Sequence, residues 1–235
     1  MTSGSGFLLR PGDQGPVQQS QVSCGAACLT VARMLVNPQF ARWITTGQGP
    51  HVDAPPGPTE AERFAAYERV VMNRTNRLYA GGRRLNVPWP KALGTPPWGA
   101  KKELEFGAAR RGSEYTVEVV RGSRTRQLRA AHARLVELVD EGEPALLYAG
   151  NAVLPRHVAL VLPGDGQSTL EVYDPATGLV TLLDAERFAR RRLRLSGWDV
   201  PWFVVQPDGL RRVQAFGFST GMSTASRTSG VSASA

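Results

Sequence analysis

The chain is expected to adopt an α+β fold, with one apolar helix near its start packed on an antiparallel sheet built from its second half. Two observations predict this. Residues 22–36 form an almost wholly apolar run at helical spacing, stopped by Asn37-Pro38. After Gly142 come five short apolar runs, at 144–148, 157–162, 170–173, 180–183 and 202–205, separated by turn signals. Consecutive strands of that length suit an antiparallel sheet, whereas a helix needs longer runs.

In chain order, residues 11–21 form a loop rich in Gly, Pro and Gln that brings polar side chains against the start of the first helix. That helix has no polar face, so it must be buried on most sides. Residues 46–59 carry Pro50, Pro55, Pro56 and Pro58 and read as an irregular excursion. A helix is expected over 60–77, where Phe64, Tyr67, Val70 and Val71 recur at helical spacing. Prolines at 88, 90, 96 and 97 interrupt the chain next, and a short helix follows them, ending near Arg111. Residues 115–120 alternate as a strand; 128–140 read as an amphipathic helix with Leu135, Leu138 and Val139 inward, closed by Gly142. From Phe218 the chain is mostly Ser, Thr, Gly and Ala with almost no apolar content, a composition that cannot bury a core. The organisation is thus one catalytic-sized domain over 1–217, with a large insertion at about 37–127, and a disordered tail over 218–235.

Charge says less about function. The chain of 235 residues carries 28 Lys+Arg against 20 Asp+Glu, a formal net charge of +8. Such a balance favours nonspecific attraction to polyanions. No zinc-finger spacing or aromatic-interleaved basic motif accompanies it, and Arg190, Arg191 and Arg192 read as a solvated helix end. The opening residues lack a secretory pattern, and no run approaches the roughly 20 apolar residues of a membrane helix. The chain is therefore expected to stay in the cytoplasm, or to leave it by a route without a signal peptide. No cofactor is implied, and the composition does not indicate an oligomeric state.

The two cysteines, Cys24 and Cys28, lie four residues apart on one helix face, a spacing that suits neither a disulfide nor, without further ligands, a metal. Reduced thiols are expected. A thiol attacks carbonyls as thiolate, and its usual pKa of about 8.5 falls when a helix N-terminus or an imidazolium stands beside it. Cys24 opens the helix, so it is the candidate nucleophile; Cys28, one turn further in, belongs to the core. Of the three histidines, His51 falls in the proline-rich excursion and His132 in an Arg-rich helix, where it is expected on the surface. His157 stands at the mouth of an apolar strand and is the candidate general base. Seventeen residues on, the next strand ends in Asp174-Pro175, so two adjacent antiparallel strands can set Asp174 beside His157 and hold its tautomer. Gln18, six residues before Cys24, could form an oxyanion hole with the Cys24 backbone N–H; Gln19 and Gln21 are neighbours of the same type, and only spacing selects Gln18.

These residues carry a resemblance. Gln18 with Ser23-Cys24-Gly25-Ala26-Ala27-Cys28-Leu29, then His157-Val158-Ala159-Leu160-Val161, then Tyr173-Asp174-Pro175, resembles the bacteriocin-processing, double-glycine-leader cysteine peptidases and related papain-like toxin and effector domains. The resemblance covers residues 16–36 and 128–188. It implies a papain-like fold and a thiol hydrolase, peptidase or amidase, acting on a peptide or protein. Cys24 would be its nucleophile, His157 its base, Asp174 the orienting group and Gln18 the oxyanion donor. The chain departs from that pattern at Ser23, where exporter-fused members carry an acidic residue, and in the length of 37–127. Three further readings stand beside it: an effector that deamidates or cleaves a target protein, a transglutaminase-like acyl transferase, and a catalytically silent peptide-binding domain.

Overall fold

The computed structural model describes residues 6–49, 57–76, 79–80, 84–85, 89–90, 93–110, 112–164 and 166–208. The expected tail over 218–235, His51 and residues 50–56 of the proline-rich excursion lie outside the described residues. Six α-helices are described: α1 (Cys24–Val36), α2 (Pro38–Thr46), α3 (Glu60–Thr75), α4 (Pro97–Glu103), α5 (Thr125–Asp140) and α6 (Ala185–Ala189). A wider π turn over Leu104–Ala108 continues α4. The strands are β1 (Tyr79–Ala80), β2 (Arg84–Leu85), β3 (Tyr115–Val119), β4 (Ala145–Gly150), β5 (Pro155–Val161), β6 (Leu170–Tyr173), β7 (Val180–Leu183) and β8 (Val200–Pro207).

The architecture is α+β, as expected. Apart from the short β1–β2 pair, the strands form one antiparallel sheet in the order β3-β8-β4-β5-β6-β7. The order departs from a simple run of consecutive strands. Strand β8, late in the chain, inserts between β3 and β4, because β4 is buried along its whole length and needs a hydrogen-bonding partner on each side.

Helices cover both faces. Leu146, Tyr148, Val158, Leu160, Leu162, Tyr173 and Val205 pack into a core with α1, α2 and α3. Ala145, Leu147, Ala149, Ala159, Val161, Val172 and Val204 pack into a second core with α5 and α6. Alternate residues of one strand therefore serve opposite cores, which is why these strands read as continuous apolar runs. Helix α1 is the most enclosed element, with ten of its residues buried. It lies between β5 on one side and α3 with the π turn on the other.

Two helices, and the short β1–β2 pair, escaped the sequence pattern. Asn37-Pro38 ends α1 and also starts α2: the Asn37 Oδ1 accepts from the Phe40 N–H at 3.0 Å, and Pro38 occupies the first turn, where its missing N–H costs nothing. Helix α6 is only one turn long. The expected surface position of His132 is corrected: it is 1% exposed, its Nε2–H donates to the Leu183 carbonyl at 3.0 Å, and its ring meets Phe188 edge-on. The arginines of α5 flank a buried face that α6 and β7 cover, so composition misplaced the ring. Among the described residues, no helix is long and apolar enough to cross a membrane.

Candidate active site

The first turn of α1 supplies the thiol. Cys24 is the first residue of the helix and is 2% exposed. Helix geometry leaves its backbone N–H without an intrahelical acceptor. Serine at the preceding position would ordinarily cap such donors with its hydroxyl. Here Ser23 makes no capping hydrogen bond; its hydroxyl donates to the Ser20 carbonyl at 2.9 Å and accepts from the Ser20 N–H at 3.1 Å. The positive end of α1 therefore stays open beside the sulfur.

A segment of the long insertion forms one wall at this point. A Cβ placed on Gly25 would lie 2.6 Å from the Thr95 Cβ, and one on Gly94 would lie 4.0 Å from the Cys24 Sγ and 2.7 Å from the Val22 carbonyl oxygen. Gly94 also has φ of +72°, where a side chain is strained. The Thr95 carbonyl accepts from the Tyr148 hydroxyl at 3.0 Å, tying the segment to β4. Burial, with the nearby charges of Cys24 and Cys28, pushes the Tyr148 phenol well above its ordinary range, so it stays a neutral donor.

The sheet supplies the histidine and the carboxylate. Strands β5 and β6 pair with Leu160 opposite Tyr173 and Val161 opposite Val172. Carried one step on, that register sets Asp174 opposite Ala159, two residues from His157 on the same side. The His157 Nε2–H donates to Asp174 Oδ1 at 2.8 Å, with both residues 5% exposed. Burial alone would lower the His157 pKa, but it is outweighed by the hydrogen bonds to Asp174 and Cys24 and by the charges of both, and the pKa rises to about 9. Cys24 thus lies within hydrogen-bonding range of the ring. With Nε2 committed to Asp174, Nδ1 is the nitrogen left for the sulfur.

Asp174 is itself held from two further directions. The Ser196 hydroxyl donates to its Oδ2 at 2.7 Å, and the Ala176 N–H donates to its Oδ1 at 3.0 Å. Burial pulls its pKa up, while His157, Ser196 and Ala176 pull it down further, and the net shift is downward. Ser196 sits in a turn between Leu195 and Trp198 with φ of 44°, followed by Gly197 at 85°. A serine held in the left-handed region is uncommon.

The loop before α1 is bound to the turn after β6. The N–H groups of Gly15 and Gln18 donate to the carbonyls of Gly178 and Pro175, each at 2.8 Å, and the Gln14 side chain donates to the Thr177 carbonyl at 2.7 Å. The Tyr173 hydroxyl donates to the Pro16 carbonyl. Gln18 is therefore fixed to the residue after Asp174, and its side-chain Oε1 is buried without a hydrogen-bond partner.

Of the residues singled out from sequence, Cys24, His157 and Asp174 come together, and Gln18 is tied to their edge through Pro175. Cys28 is a reduced, fully buried core thiol whose Sγ lies 3.4 Å from the Val158 carbonyl; burial raises its pKa far above the ordinary thiol range. Sequence reasoning missed Thr95, Tyr148, Ser196 and Glu68. The last is an α3 residue only 2% exposed whose carboxylate accepts from the Gln19 N–H at 3.3 Å. A charged residue on the apolar side of α3, in line with Phe64 and Val71, was the one available signal. Among the described residues, no group of three or more His, Cys, Asp or Glu is placed to hold a metal ion.

No protein-family model matches this chain, and no curated protein sequence matches it. Solved structures do resemble it. The peptidase domain of Streptococcus ComA, a bifunctional ABC transporter involved in a quorum-sensing pathway, aligns over 83% of this chain and 98% of its own, with 16% identity and a TM-score of 0.37. The Pseudomonas avirulence protein AvrPphB aligns over 82% of this chain and 96% of its own, with 12% identity and a TM-score of 0.41.

Proposed function

We propose that the chain is a papain-like thiol hydrolase, a cysteine peptidase or amidase, in which Cys24 is the nucleophile, His157 the general acid and base, Asp174 the orienting carboxylate and Gln18 an oxyanion donor. One observation carries the reading: a buried imidazole that bonds a carboxylate through Nε2 and has the thiol at the start of α1 among the groups that raise its pKa. A core histidine needs no such pair of partners, as His132 illustrates with a single backbone carbonyl.

The chemistry follows from the geometry. Cys24 Sγ, having given its proton to His157 Nδ1, attacks a substrate carbonyl carbon and forms a C–S bond. Negative charge moves to the carbonyl oxygen, where the Cys24 N–H and the Gln18 side-chain amide are the donors. The imidazolium then protonates the leaving amine, the C–N bond breaks and a thioester remains. A water molecule gives its proton to His157 Nδ1 and attacks that thioester, releasing a carboxylic acid and restoring the Cys24–His157 pair. Asp174 stays ionised throughout and holds Nε2–H, which keeps Nδ1 free for every proton transfer.

Alkylation tests the assignment. At pH 6 to 7, iodoacetamide should label Cys24 far faster than Cys28, read by peptide mass spectrometry. His157→Ala should erase the difference. Two thiols that label slowly and alike in the parent protein would remove the nucleophile and leave a binding domain.

A further inference from the structure

We propose that Glu68, contributed by α3 of the inserted segment, is the positioning residue of the oxyanion loop, holding residues 18–23 so that the Gln18 amide faces the carbonyl under attack. This inference rests on the hydrolase reading and assigns a task within it to the long insertion.

Glu68 has no ordinary reason to be where it is. Its carboxyl is 2% exposed, with no side-chain cation paired to it among the described hydrogen bonds and ion pairs; it meets the loop instead. Its Oε2 accepts from the Gln19 N–H, one residue from Gln18, and it stands within hydrogen-bonding reach of the Ser23 hydroxyl, one residue from Cys24. A single side chain therefore holds the loop at Gln19 and lies beside Ser23 at the other end of the stretch that sets Gln18 against Cys24. The Ser23 hydroxyl is itself occupied with the Ser20 N–H and carbonyl, so the open end of α1 does not depend on Glu68. Two oxygens here are buried without partners, Glu68 Oε1 and Gln18 Oε1. Such atoms are costly and mark a geometry retained for another reason. Burial pushes the Glu68 carboxyl above the usual carboxylate range, against the opposing pull of Ser23, Gln19 and Arg69.

The test separates alkylation, which needs only a reactive sulfur, from acylation, which needs the oxyanion hole. Iodoacetamide reports the first. N-benzyloxycarbonylglycine p-nitrophenyl ester reports the second through the burst of p-nitrophenolate and the mass of the thioester on Cys24. Glu68→Ala should slow acylation about tenfold while Cys24 alkylation stays within about twofold of the parent, since only the oxyanion donor is disturbed. Glu68→Gln, which still accepts from the Gln19 N–H, should restore acylation. In a Gln18→Ala background, Glu68→Ala should add less than about a twofold further loss, because both changes remove the same interaction. Should Glu68→Ala fail to fold, Glu68→Met takes its place in the cycle, filling the volume without accepting either hydrogen bond. Undiminished acylation in the variant, or an equal loss in both backgrounds, overturns the proposal while leaving the hydrolase intact. A parent protein that is neither acylated nor selectively alkylated overturns the hydrolase reading, and this inference with it.

Discussion

His157 and His132 are both almost fully buried, yet their surroundings shift them in opposite directions. Asp174 and Cys24 raise the pKa of His157 from 6.5 to about 9, so its contribution to stability is complete below about pH 6.5 and is lost as pH rises towards 9. Burial lowers that of His132, whose contribution is held above about pH 6.5 and lost as pH falls below it. Urea unfolding of the parent and of Asp174→Asn should therefore converge as pH rises from 6.5 to 9. His132→Gln should instead reduce the loss on the acid side. On activity, Cys24→Ala and His157→Ala should fall to background, and Asp174→Asn should lose a factor on the order of 10² to 10⁴ in kcat/KM, measured with an activated ester. Asp174 was legible because a strand ending in Asp-Pro follows the His157 strand after one turn. Ser196 was not: its hydrogen bond to Asp174 spans 22 residues, and Ser-Gly between Leu195 and Trp198 reads only as a turn. Ser196→Ala should lower kcat about tenfold or more with KM unchanged, the loss expected for one hydrogen bond to a charged carboxylate, about 1.5–3 kcal/mol.

Elements were legible where periodicity was long. Helices α3 and α5 and strands β3 to β8 fall close to their expected spans, since each has a clear apolar pattern. Helix α2 was hidden because Asn37-Pro38 reads as a stop, and the same two residues serve as its cap and first turn. Asn37→Ala should cost about 1 kcal/mol of stability by denaturant titration and leave Cys24 alkylation unchanged. The junction of α1 with the Thr95 segment is stricter. In Gly25→Ala the new methyl would meet Thr95 at 2.6 Å, and Thr95 is held in place by the bond from the Tyr148 hydroxyl to its carbonyl. That variant should lose about 1–3 kcal/mol by overpacking, and its acylation should fall with it. Thr95→Gly in the same chain should recover part of both. Spacing alone could not foretell the contact, because it joins positions 25 and 95 across the insertion.

At the scale of the molecule, the three layers were only partly foreseeable. Five consecutive apolar runs announced an antiparallel sheet, but pairing order depends on which strands are buried on both sides, and that is decided by the helices that cover them. Strand β8 supplies the missing neighbour of β4, which in turn pairs with β5, the bearer of His157. The residue that binds Asp174 from below, Ser196, also arrives only in the approach to β8. During synthesis the thiol, the imidazole and the carboxylate all leave the ribosome before the strand that joins β3 to the rest of the sheet. A nascent chain therefore carries all three groups while its sheet still lacks β8, the strand that lies between β3 and β4.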